Sequence, residues 1–136
     1  MITAALALVQ AASVPLEGPA ADPQTCNDPV YLMVWIDNLD RSKSAAYGAA
    51  LRETQIVRRN GGEYLMVSPP ALVVEGDWPE TRGFVIERYP CRAAFENMWF
   101  SAEYQTELIP LRAGSGEYTV ALFEDWPPAA PAPAED

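Results

Sequence analysis

Between Val30 and Phe123 the hydrophobic period of the chain alternates between the strand and the helix spacing, in the order strand, helix, strand, strand, helix, strand. Val30 to Ile36 is β-branched and aromatic, is bounded by Pro29 and by Asp37-Asn38, and reads as a strand. Asp40 or Ser42 can cap the helix that follows. Its apolar positions Tyr47, Ala50, Leu51, Thr54 and Val57 keep helical spacing, Arg58 and Arg59 suit the dipole at its last turn, and Asn60-Gly61-Gly62 stops it. Glu63 to Val67 and Leu72 to Glu75 are short strand candidates parted by Pro69-Pro70, which cannot donate to a ladder. Gly83 to Tyr89 is the clearest later strand. After Pro90, Arg92 to Phe100 predicts a short helix, and Ser101 caps another running towards Arg112 that Pro110 ends or kinks early. Tyr118 to Phe123 is the last strand. This order is that of a ferredoxin-like α+β sandwich, β-α-β-β-α-β, with one four-stranded antiparallel sheet and helices on one face.

Alternation then sorts the strand residues into two faces. Leu32, Val34, Ile36, Leu65, Val67, Phe84, Ile86, Val120 and Leu122 form an aliphatic set expected beneath the helices. Tyr31, Met33, Trp35, Tyr64, Met66, Val85, Glu87, Tyr89, Ala121 and Phe123 form the opposite set, aromatic and sulfur-containing with polar tips. Apolar patches of that size rarely stay exposed on a monomer, so the second face is expected to pack against another copy of the sheet in a homodimer. In this topology the first and third strands are antiparallel neighbours. Cys26 lies just before one and Cys91 just after the other, so the two can meet in a disulfide.

The 136 residues, 49% of them hydrophobic, support one domain with one core. We place that domain at residues 28–125, with a leader and Pro/Ala linker at 1–27 and a Pro/Ala-rich acidic tail at 126–136. Met1 to Val14 is an uncharged apolar run of about the length of a signal peptide's core and too short to span a bilayer. If it is such a peptide, the protein is periplasmic or secreted; otherwise it is cytoplasmic. Nineteen Asp and Glu against nine Lys and Arg leave a net charge of −10, which repels nucleic acid and anionic membrane surfaces. The chain has no histidine. It therefore lacks the commonest general base and the usual ligand of transition metals and haem, and neither a metal nor a cofactor is expected.

One stretch concentrates aromatic and charged residues: Val74-Glu75-Gly76-Asp77-Trp78-Pro79, Arg82, Val85-Ile86-Glu87-Arg88-Tyr89-Pro90, Ala94, Trp99-Phe100-Ser101-Ala102-Glu103-Tyr104-Gln105 and Leu111-Arg112. With Gly61-Gly62 after a long helix, it resembles the uncharacterised family called domain of unknown function 1330, over about Tyr31 to Phe123. The resemblance implies a dimeric α+β barrel, an arrangement shared with cofactor-free quinol monooxygenases, muconolactone isomerases and chlorite dismutases. It implies no established activity. The chain departs from the usual pattern at Glu63, where a basic residue is commoner, and at Ser68-Pro69-Pro70, where a glycine-containing turn is common.

Glu87 is the sharpest candidate for a catalytic group. Mid-strand among bulky neighbours, it is either a general base with a raised pKa or a structural partner of Arg82, Arg88 or Arg112 within the dimer. Trp35, Trp78, Trp99 and Tyr104 either line a ligand cleft or belong to the core. Arg82 and Arg112 either hold a substrate carboxylate or pair with Glu75, Asp77 or Glu103. Two functions fit. One is a small-molecule-binding dimer, a cofactor-independent oxygenase or isomerase acting on a small aromatic or acidic metabolite. The other is a non-catalytic binding or assembly domain of the cell envelope.

Overall fold

The computed structural model describes residues 26–125. The expectations for the apolar leader and the acidic tail lie outside the described residues. Strand β1 (Val30–Asp37) leads into helix α1 (Arg41–Thr54) and a short helix α2 (Ile56–Arg59), then strands β2 (Glu63–Met66) and β3 (Gly83–Tyr89). Helix α3 (Arg92–Trp99), a π-helical segment (Glu103–Leu108) and a 3-10 turn (Ile109–Arg112) precede strand β4 (Glu117–Glu124). The sheet runs β2-β3-β1-β4 and every neighbouring pair is antiparallel. This is the ferredoxin-like α+β sandwich.

Local chemistry accounts for most of the boundaries. Asp40 is the N-cap of α1, and its Oδ1 accepts from the backbone N–H groups of Ser42 at 3.0 Å and Lys43 at 3.3 Å. The single helix expected through Val57 is broken in two at Gln55, whose φ of 53° is left-handed. The Thr54 hydroxyl reinforces the break, donating to the Ala50 carbonyl and accepting from the Ile56 N–H. The bend turns Ile56 and Val57 into the core. Ser101 marks the next start, as expected, with its Oγ accepting from the Tyr104 N–H at 3.1 Å. Pro110 then lacks an N–H to continue the ladder, and the last part of that run tightens into the 3-10 turn.

Three expectations are corrected. Leu72 to Glu75 is not a strand: β2 ends at Met66, and residues 67–82 form a loop in which Pro69, Pro70 and Pro79 offer no donors. The face assignment of β3 is inverted. Directly opposed residues of an antiparallel pair share a face, and Val30 opposes Tyr89, Leu32 opposes Glu87 and Val34 opposes Val85. Glu87 and Tyr89 therefore lie under the helices, while Phe84 and Ile86 join Met33 and Trp35 on the open face. An irregularity between Tyr64 and Met66 also sends Tyr64 to the face of Glu87 and Met66 to that of Ile86. Leu65 and Val67, expected beneath the helices, are exposed.

The core lies between sheet and helices, with Val30, Leu32, Val34 and Ile36 below and Ile56, Phe95, Met98 and Leu108 above. Cys26 and Cys91 are joined by a disulfide with Cα atoms 5.4 Å apart, tying the entry to β1 to the start of α3. Among the described residues no helix is long and apolar enough to cross a membrane.

Candidate functional site

The strand that carries Glu87 pairs on both sides, so its carboxylate enters the space between sheet and helices with little water. Glu87 is 7% exposed. The Tyr89 hydroxyl donates to its Oε1 at 2.7 Å, and no cation pairs with it among the described residues. Burial pushes the Glu87 carboxyl above the ordinary carboxylate value, with the Tyr89 hydrogen bond opposing the rise. The expected partners are committed elsewhere. Arg82 pairs with Asp37 and Arg88 with Glu63, while Arg112 lies 4.1 Å over the Tyr118 ring. The reading of Glu87 as an ion-paired residue of the sheet's open face is therefore withdrawn.

Tyrosines surround this carboxylate. Tyr89 is fully buried and packs so closely on Gly62 that a Cβ there would sit 2.6 Å from its ring. Tyr64 faces Glu87 across the β2–β3 pair, and burial first, then the Glu87 charge, pushes its phenol up to about 12. The Tyr47 and Tyr104 hydroxyls bond to each other at 2.5 Å, and burial raises both phenols. Trp99 packs on Tyr104 with ring centroids 4.9 Å apart, and Arg112 lies 5.3 Å from the Tyr47 ring and 5.9 Å from that of Trp99. Ser115, fully buried, supports this end through a 2.8 Å contact between its Oγ and the Tyr118 hydroxyl. A cavity of about 470 Å³ opens beside the cluster, between α1, α2 and the β2 side of the sheet. Tyr64 and Val85, the neighbours of Glu87 across and along the sheet, form part of its wall.

The remaining candidates lie on the other side of the sheet. Trp35, Trp78 and Phe84 meet edge to face with centroids 5.6 to 5.9 Å apart. Arg82 lies over Trp35 at 4.4 Å and Trp78 at 5.3 Å, and its Nε is 3.3 Å from Asp37 Oδ1. This group pins the 67–82 loop to the open face. The structure thus brings Glu87, Trp99, Tyr104 and Arg112 together and separates them from Trp35, Trp78 and Arg82. Sequence reasoning missed Tyr47, Tyr64 and Tyr89 as members of the site. Their signal was tyrosine at core-facing positions, where each hydroxyl needs a partner.

The comparisons with known proteins agree with this architecture. Two crystal structures of the RPA0582 protein, one methylated and one of the protein of unknown function from Rhodopseudomonas palustris, are both 19% identical to this chain. The methylated one covers 76% of this chain and 85% of its own at a TM-score of 0.56, and the other covers 75% and 85% at 0.57. A proposed antibiotic biosynthesis monooxygenase from Nitrosomonas europaea is 20% identical over 73% of this chain and 93% of its own. Its TM-score of 0.49 is too low to bear on function. No curated protein matches the chain. Residues 29–126 match the model of the family described as domain of unknown function (DUF1330), and the chain belongs to that family.

Proposed function

We propose that the chain is a small-molecule-binding domain whose ligand enters the cavity beside α1 and meets Glu87 as the acid–base group. The observation that carries this is a buried carboxylate without a cation, whose neighbours Tyr64 and Val85 line the cavity. Such a group opposes folding, since burial penalises its charged form. Its raised pKa keeps a proton available nearer neutrality, which suits proton transfer to or from a bound molecule. The tyrosine hydroxyls around it supply donors that need no metal or organic cofactor. The reaction class that fits is cofactor-independent: isomerisation or oxygenation of a small aromatic or acidic metabolite, begun by removal of a proton. Packing of the open sheet face against a second copy, as in a dimeric α+β barrel, would leave this cavity on the outside of the assembly and open to solvent.

An NMR fragment screen on the full chain tests the reading. Hits are expected to shift the Leu51 and Val85 methyl resonances and the Tyr64 ring, and a Glu87→Gln variant is expected to bind the same fragments. Hits confined to the open face would overturn it. A second reading, a non-catalytic assembly domain of the cell envelope, is favoured by the loop after β2, where Leu72 is 76% and Val74 86% exposed.

A further inference from the structure

The cavity beside α1 has a polar rim as well as an apolar wall. Arg52, in the last turn of α1, and Arg58, in α2, both line it. Neither makes an ion pair among the described residues; Arg41 and Arg112 make none either, but they lie away from this cavity. In a chain of net charge −10, two guanidinium groups without an acid on the rim of one cavity give that cavity a local positive charge. Arg58 lies 5.9 Å from the centroid of Tyr64, so its cation borders the ring that faces Glu87.

Gly48 points the same way. It sits inside α1 at a position where glycine weakens a helix, and an added Cβ would meet nothing closer than the Arg52 guanidinium at 3.7 Å. No clash requires glycine there, whereas a side chain at that position would take volume from the cavity it lines. Leu51, Val57 and Val85 supply apolar walls.

We propose that this cavity binds a monoanionic carboxylate with an apolar body, its carboxylate held by Arg52 and Arg58 and its body lying against Leu51, Val57 and Val85. The planar fork of arginine matches a carboxylate. The cavity borders the C-terminal end of α1, where the helix dipole is negative and opposes a doubly charged phosphate more than a singly charged carboxylate. The assignment rests on the cavity being the ligand site proposed above and adds the chemical class of the ligand.

The test is a titration of the full chain with 1-naphthylacetate, its neutral analogue 2-(1-naphthyl)ethanol, and 1-naphthyl phosphate, followed by naphthalene fluorescence. Naphthylacetate should bind more tightly than either analogue. Arg52→Ala and Arg58→Ala should each weaken it by about tenfold, the worth of one charge-assisted contact, and leave naphthylethanol unchanged. Both arginines are exposed, so circular dichroism should show the variants folded. Gly48→Leu, which fills the cavity, should weaken all three compounds. Equal binding of acid and alcohol that Gly48→Leu abolishes would overturn the carboxylate assignment while leaving the cavity as a ligand site. Absence of binding by all three, or binding indifferent to Gly48→Leu, would overturn both.

Discussion

At Glu87 the preference of a carboxylate for water opposes its place in the sheet, and the pH dependence of folding has a definite sign. Its folded pKa lies above the ordinary value of 4.5, so above that pH the unfolded state gives up the proton first. Stability contributed by the protonated group is lost as pH rises from 4.5 through the folded pKa. Glu87→Gln should flatten this part of the pH–stability curve, measured by urea unfolding across the range, because the amide does not titrate and Tyr89 can still donate to its oxygen. A curve of unchanged slope would show that Glu87 is not the group responsible. The same variant should lower the Tyr64 phenol from about 12, because the Glu87 charge is the second contributor after burial. Phenolate absorbance reports that titration. Glu87 was legible in the sequence as a carboxylate among bulky residues. Its surroundings were not, because Tyr47, Tyr64 and Tyr104 come from elements far apart in the chain.

Among the elements, β3 is where alternation misled. Phe84 and Ile86 are as apolar as Val85 and Tyr89, so the period-two pattern divides this strand into two sets without saying which set is covered. The register decides, by placing Glu87 opposite Leu32 and Phe84 opposite Trp35. The α1–α2 break was hidden for a different reason. A left-handed residue at Gln55 leaves the apolar spacing of Leu51, Thr54 and Val57 almost intact. By contrast, the contact between Cys26 and Cys91 followed from topology alone, since the start of the first strand must lie beside the end of the third. With the bonded cysteines 65 positions apart, replacing both by alanine should cost about 4 kcal/mol in the chain-entropy model, read as a drop in the denaturation midpoint. An unchanged midpoint would show that the bond restrains little.

For the whole molecule, the open sheet face carries Tyr31, Met33, Trp35, Phe84, Ile86, Ala121 and Phe123, with Phe123 52% exposed. We expect native mass spectrometry of the full chain to give twice the protomer mass, with this face at the contact. Met33 lies centrally there, opposite Ile86 and Ala121. Met33→Glu should convert the dimer to a folded monomer, because burying an unpaired carboxylate at a contact costs several kcal/mol while the monomer's core lies on the other side. A dimer surviving this change, or a wild-type monomer, would remove the face-to-face arrangement. The loop bearing Leu72 and Val74 adds apolar surface beyond the sheet, where a heterologous partner would instead be sought.

By itself the sequence determined the order of elements, the antiparallel α+β class, the family and the proximity of the two cysteines. Each of these rests on local periodicity, turn chemistry or the connectivity that short loops allow. Only the tertiary structure decided which face of β3 is covered, that Trp35, Trp78 and Arg82 are parted from Trp99, Tyr104 and Arg112, and that Arg52 and Arg58 border one cavity. Those outcomes depend on cross-strand register and on how the helical layer seats against the sheet, which are long-range packing choices that local propensity leaves open.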